Sequence, residues 1–282
     1  MLQIGINTNN ECGKDTRDIL TNIKKAGFEN VMVAFKVGKV EETLSLAKEL
    51  GLKVPFVHLS NSNNLWAKGE SNNNLIANLK EQIKIAGKYN VPVAVLHATQ
   101  GSADQLALPP NKFGLKSILE VVNFAKEHNV KIALENLDKL SFKHFKYVMR
   151  NIRNENLGFC YDAGHHQLYI PKVDLLKRYG NKILAIHLHD NLMDWSYGYD
   201  WTRDLHRLPF DGKIDYNKVM TKLSATNYED VIMLEVHKES CGEPRIYNKL
   251  SDIEFLVEAK KRAQKLAEMI ELKRKNIGQS NK

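Results

Sequence analysis

Short runs rich in Val, Ile and Leu recur along the chain, separated by longer stretches whose apolar residues return every three or four positions. The short runs, at residues 3–7, 30–34, 53–58, 91–97, 131–135, 157–161, 183–187 and 231–235, read as strands. The longer stretches predict helices over 15–26, 40–50, 74–89, 116–128, 142–152, 173–179, 216–224 and 251–273. In the last of these, Ile253, Leu256, Val257, Ala263, Leu266 and Ile270 keep helical spacing behind Ser251 and Glu254, the pair of a capping box.

A strand followed by a helix, eight times over, predicts a parallel sheet. Eight such units close into a (β/α)8 barrel (TIM barrel) more readily than they fill an open sheet, and the 282 residues are close to the roughly 250 typical of that fold. A doubly wound sheet binding a dinucleotide would carry a Gly-rich loop after its first strand; here the chain reads Thr8-Asn9-Asn10-Glu11-Cys12-Gly13. The expected organisation is one domain, α/β in class, over 1–272, with 273–282 as a basic, flexible tail. Two connections are long, 99–113 and 189–215, and both leave carboxyl ends of strands, the face on which such barrels carry their sites. The second holds Trp195, Tyr197, Tyr199 and Trp201, a cluster able to cover a ligand or simply to pack the loop.

Composition narrows the chemistry. With 43% hydrophobic and 26% charged residues the chain is neither fibrous nor disordered. Cys12, Cys160 and Cys241 are far apart, so a metal would have to use His, Asp and Glu. The chain opens directly on a strand pattern, which leads us to expect a cytoplasmic protein with no membrane association. The net charge of +8 sits mostly in 260–282, where eight basic residues face two acidic ones, so it marks a solvated helix end more than a nucleic-acid surface.

The last six strands end in or just before His58, His97, Glu135, Asp162, His187 and Glu235. Each follows an apolar run and so projects at the rim, where convergence from several strands builds a site. One histidine there would ordinarily be structural; six donors at equivalent places point to a divalent metal. Two Glu, one Asp and one His form a hard, oxygen-rich set suited to Mn²⁺, Mg²⁺, Co²⁺ or Zn²⁺. Asp162-Ala163-Gly164-His165 and Asp204-Leu205-His206 add further carboxylate–imidazole pairs. His128, His144, His166, His189 and His237 read as surface or packing residues, although His189 shares strand parity with His187. Tyr161 and Phe56 read as barrel-core aromatics.

The order of these motifs resembles the xylose isomerase-like TIM-barrel superfamily of sugar isomerases, sugar-phosphate isomerases/epimerases and endonuclease IV-type apurinic endonucleases. The resemblance rests on Leu134-Glu135-Asn136, Asp162-Ala163-Gly164-His165, His187-Leu188-His189-Asp190, Leu234-Glu235 and the block from Asp204 to Asp215. That block is similar to the family pattern Asp-x-His-x-x-Pro-Gly-x-Gly-x-Ile-Asp, with Phe210 standing where relatives carry Gly. The resemblance implies a metal-dependent sugar or sugar-phosphate isomerase or epimerase, with the metal on Glu135, Asp162, His187 and Glu235. Glu135 and Glu235 would exchange the proton through a metal-stabilised enediolate. His58, His97, His165, His206 and Arg207 would bind the substrate, and Arg203, Lys213, Lys238 and Arg245 place positive charge where a phosphate could sit. Homo-oligomers, dimers or tetramers, are usual among relatives.

The endonuclease branch implies a different enzyme, a zinc-dependent apurinic endonuclease acting on nucleic acid. Its nine ligand types fall on His58, His97, Glu135, Asp162, His165, His187, Asp204, His206 and Glu235, which would make His58, His97, His165, Asp204 and His206 additional metal ligands. The contexts depart from that branch: His97-Ala98-Thr99 replaces His-Pro-Gly, no Gly-Gln-Gly turn follows Glu135, and Glu235-Val236-His237 replaces Glu-Thr-Pro. His187-Leu188-His189-Asp190-Asn191 likewise resembles the isomerases more than the endonuclease His-Leu-Asn-Asp-Ser. A third reading is a metal- or sugar-binding barrel without catalysis.

Overall fold

A computed structural model describes residues 2–35, 39–60, 64–99, 108–192, 203–239 and 246–280, with side chains to Ile277. The aromatic cluster at 195–201, Cys241 and Arg245 lie outside these residues. Among the described residues the order is β1 (Ile4–Asn7), α1 (Thr16–Lys25), β2 (Asn30–Ala34), α2 (Val40–Glu49), β3 (Phe56–His58), α3 (Glu70–Lys88), β4 (Val93–His97), α4 (Lys112–Glu127), β5 (Lys131–Glu135) and α5 (Ser141–Asn151). There follow β6 (Leu157–Asp162), α6 (Ala163–Tyr169), α7 (Leu175–Tyr179), β7 (Ile183–His187), α8 (Tyr216–Ser224), β8 (Ile232–Leu234) and α9 (Asp252–Ser280).

The eight strands are parallel and ordered β7-β6-β5-β4-β3-β2-β1-β8. A bridge between Leu188 and Leu234, with Leu188 N donating to Met233 O at 3.0 Å, brings β7 against β8. The result is the expected, nearly closed (β/α)8 barrel. The strands start late where proline intervenes: β3 begins after Pro55 and β4 after Pro92, because proline has no N–H for the ladder. Helix α3 begins at Glu70, before the apolar period appears, and buried Asn72 ties its first turn to the carbonyls of Asn64 and Leu65. Helix α9 carries the capping box, with Ser251 N donating to Glu254 Oε2 at 2.8 Å and Glu254 N to Ser251 Oγ at 3.3 Å, and it continues helical past the end expected near 273. No described helix is long and apolar enough to cross a membrane.

Strand parity divides the core in two. Met32, Phe56, Val93, Val95, Ala133, Cys160, Ala185, Val231 and Met233 point inward and fill the barrel. Their alternates, among them Val33, Val57, Leu96, Leu134, Phe159, Ile186 and Leu234, pack outward under the helices. Phe56 is therefore a barrel-interior aromatic, as expected. Tyr161 is not: it lies in the outer layer, its hydroxyl 2.9 Å from His166 Nδ1. One residue further along the inward parity, two positions above the filled interior, stand His58, His97, Glu135, Asp162, His187 and Glu235.

Candidate metal centre

The donors meet in sets. Donor atoms of Glu135, Asp162, His187 and Glu235 all lie within 4.8 Å of one another, as do those of His58, His97 and Glu135, and those of His165, His189, Asp204 and His206. Glu135 belongs to the first two sets, at the centre of the mouth. His187 Nδ1 is 3.3 Å from Glu135 Oε1 and 3.1 Å from Glu235 Oε2. His58 Nε2, His97 Nε2 and Glu135 Oε2 form a triangle with sides of 3.2, 3.1 and 3.0 Å.

Three imidazoles are held the same way. Nδ1 of His58 lies 2.9 Å from Leu59 O, Nδ1 of His165 3.2 Å from Asn136 O, and Nδ1 of His206 2.8 Å from Glu235 O. A carbonyl can only accept, so each Nδ1 carries the proton and each Nε2 presents a lone pair to the site when the ring is neutral, which is how ligating histidines are oriented. The His187 nitrogens, Glu135 Oε1, His97 Nδ1 and His189 Nδ1 are buried without aligned hydrogen-bond partners. Lone pairs and carboxylates crowded together in a buried space repel unless protons or a cation intervene, so this donor set fits one or more divalent ions.

The electrostatics without a metal follow from that crowding. Burial opposes the charge of Glu135, but the imidazoles of His187 and His97 outweigh it and hold the carboxyl well below its ordinary range. Glu235 is lowered in the same way, chiefly by His187. Burial pulls His206 down while Asp204 pulls it up further, to about 9, and His165 is raised by Asp162 and Asp204. His97 is lowered because burial wins.

Asp162 has two further tasks: its Oδ1 caps α6 by accepting from His165 N at 2.6 Å, and both oxygens lie 3.2 Å from His189 Nε2. Asn136 pins its backbone, Nδ2 donating to Asp162 O and Asp162 N donating back to Asn136 Oδ1, each at 2.9 Å. A Cβ on Gly164 would lie 2.0 Å from His189 Cε1, so that motif position must be bare.

One expectation changes. His189, read mainly as a packing residue, is fully buried in the donor set with His165, Asp204 and His206. Its ring stacks on His206 with centroids 3.9 Å apart, and His206 stacks in turn on His237 at 4.7 Å, both pairs 12° from parallel. Burial, then the charge on His206, pushes His237 down to about 3. The shared parity of positions 187, 189 and, beyond β8, 235 and 237 was the available signal. His144 and His166 are packing residues as expected, bonded to Leu108 O and Val173 O.

Asp190 was legible as part of the motif after β7, but its role was not. Its carboxylate accepts from the backbone N–H of Asn191, Phe210 and Ile214 at 2.9–3.0 Å and so folds the 204–215 block over β7, setting Asp204 and His206 at the rim. Arg207 braces the same turn, Nη1 donating to Asp211 O at 2.9 Å. Asp204 Oδ2 lies 2.8 Å from His165 Nε2 and 3.4 Å from His206 Nε2.

Residues 20–270 match the family described as xylose isomerase-like TIM barrel. An uncharacterized protein, y4fM, of Sinorhizobium fredii (strain NBRC 101917 / NGR234) is 28% identical over 258 residues, covering 78% of this chain and 80% of its own. Among solved structures, an L-ribulose 3-epimerase superposes with a TM-score of 0.74 at 15% identity, covering 100% of this chain and 99% of that one. The IOLI protein with a bound zinc atom superposes with a TM-score of 0.69 at 19% identity, covering 95% and 98%. At these identities the superpositions speak to the fold.

Proposed function

Since the chain belongs to the xylose isomerase-like TIM-barrel family, we propose that it is a divalent-metal-dependent isomerase or epimerase of sugars or sugar phosphates. The observation that carries this reading is the meeting of Glu135, Asp162, His187 and Glu235 on four strand ends, with two ionised glutamates either side of one imidazole. A bound Mn²⁺, Co²⁺, Mg²⁺ or Zn²⁺ would supply polarisation of a carbonyl oxygen and its neighbouring hydroxyl. The chain supplies the proton chemistry. Glu235, with 12% of its side chain exposed against 1% for Glu135, is the carboxylate better able to reach a substrate and take the proton from the carbon beside the carbonyl. An epimer results when Glu135 has taken up a proton before the step and delivers it to the other face, leaving Glu235 protonated; an isomer results when Glu235 returns its own proton to the adjacent carbon. His58, His97, His165 and His206 would bind substrate oxygens, with Arg207 holding the loop around them. A cytoplasmic, homo-oligomeric protein is part of the same reading.

A second reading is favoured by the two further donor sets. His58, His97 and Glu135 on one side, and His165, Asp204 and His206 on the other, flank the central four, which suits three zinc ions and phosphodiester cleavage at an abasic site in nucleic acid. Metal analysis combined with solvent-deuterium exchange separates the two. One ion per chain with deuterium entering ketoses at the carbon beside the carbonyl supports the first. Three zinc ions, no exchange and cleavage of abasic DNA would replace it, and metal or sugar binding without either reaction would leave a binding protein.

A further inference from the structure

The donors occupy the sector of the barrel mouth above β3 to β8. The remaining sector, above β1 and β2, has no metal-donating residue at the inward rim positions: these are Asn7 and Ala34, with Asn9 beyond the end of β1. A cavity of about 370 Å³ opens there, its wall including Asn9, Glu11, Thr16, Ala34, Lys39 and His237.

The cavity adjoins the metal centre. His237 forms its wall on one side and stacks on His206 at 4.7 Å on the other. The chain from Glu235 to His237 is extended, because successive N–H groups alternate in direction: Glu235 N donates to Leu188 O, Val236 N to Asn7 Oδ1, and His237 N to His206 O. The side chains of Glu235 and His237 therefore share a face about 7 Å apart, two residues along a strand-like backbone. Asn9 stands beside His237 in the wall, its amide 3.3 Å from His237 Nε2 and its Oδ1 accepting from Asn7 Nδ2 at 3.0 Å.

We propose that this cavity is a subsite for an uncharged, hydroxyl-rich extension of the substrate, such as a second sugar unit, while the reacting carbons lie at Glu235. The inference rests on the sugar reading above. The wall offers amide, hydroxyl and imidazole groups, and among its described residues Glu11 and Lys39 balance in charge, which suits a polyol better than a phosphate. The volume is within the range of small-ligand pockets, about 300–1,000 Å³.

The test uses the zinc-loaded full chain and three probes that share one hydroxyketone: fructose, 6-O-glucosyl-fructose and fructose 6-phosphate. Calorimetry should give the glucosylated ketose at least a tenfold lower Kd than fructose. Ala34→Leu, which narrows the cavity, should erase that difference, and Asn9→Ala should reduce it severalfold should the first variant fold poorly. Histidine-ring NMR should show the His237 signals moving with the glucosylated probe. Equal Kd values for the two neutral ketoses with static His237 signals overturn the subsite while leaving the sugar reading intact. Tightest binding of the phosphate overturns the uncharged class. Failure of all three probes to bind goes against both, whereas a moving His237 with no proton exchange would keep the subsite and remove the isomerase.

Discussion

The backbone N–H of Phe210 donates to Asp190 Oδ2 at 3.0 Å, although Phe210 sits at φ +76°, where relatives place Gly. The turn therefore keeps the left-handed conformation without the glycine. The Phe210 ring packs 5.3 Å from Tyr216, and Lys265 of α9 lies 4.2 Å over its face, contacts that offset the backbone strain. A Cβ on Gly212, in the same turn, would lie 2.2 Å from Asp190 Oδ1.

That arrangement separates strain from packing. Phe210→Ala keeps the φ penalty and loses the ring; Phe210→Gly loses the ring and relieves the penalty. The glycine variant should be the more stable of the two by about 1 kcal/mol, readable as a difference in denaturant midpoints. Equal midpoints would mean that the turn relaxes in Phe210→Ala.

Asp190→Ala strips three backbone donors of their acceptor in a buried turn. A loss of about 2–4 kcal/mol follows, or roughly 5–12 °C in Tm. Because the turn carries Asp204 and His206, metal bound per chain should fall most in any ion that uses them. Unchanged Tm and metal content would show that the turn stands without Asp190.

Glu235→Gln should hold its metal to within about tenfold in Kd while proton exchange at the substrate carbon slows by roughly 10²–10⁴. Glu135→Gln should lose metal first, since Glu135 takes part in three donor groups, with His58 and His97, with Cys160 and His187, and with Asp162, His187 and Glu235. Calorimetry and deuterium incorporation read the two effects separately, and exchange at the native rate in Glu235→Gln would take Glu235 out of the acid–base role.

The pH dependence of the metal-free protein has a defined sign. His206 is raised to about 9 in the fold, above its unfolded value of about 6.5, so its contribution is complete below pH 6.5 and disappears as pH climbs to about 9. Asp204 is held well below its ordinary value by His165 and His206 against the opposing pull of burial, so its contribution is present above pH of about 4 and is lost in acid. Thermal melts should show metal-free protein losing on the order of 2 kcal/mol between pH 6.5 and 9, and Asp204→Asn should flatten that slope. With metal bound the slope should flatten or reverse, because protons and the ion compete for the same nitrogens.

Much of this was legible in the sequence because it depends on local periodicity. The inward alternation of each strand is a property of its own few residues, and it marks His58, His97, Glu135, Asp162, His187 and Glu235 as rim positions before any strand is paired. The eight strand–helix units, the Ser251–Glu254 cap and the motif order needed nothing more.

What the chain order could not reveal is which rim residues meet. That depends on the stagger of the strands around the barrel and on how the 204–215 block folds back over β7, both set by contacts between residues far apart in sequence. Hence His189 looked like packing until β6 placed Asp162 against it, and Asp190 looked like one polar residue among several until the turn wrapped its carboxylate. Phe210 appeared to break the family turn, because only α9 and Tyr216, far along the chain or across the loop, supply the contacts that let a side chain occupy a glycine's conformation.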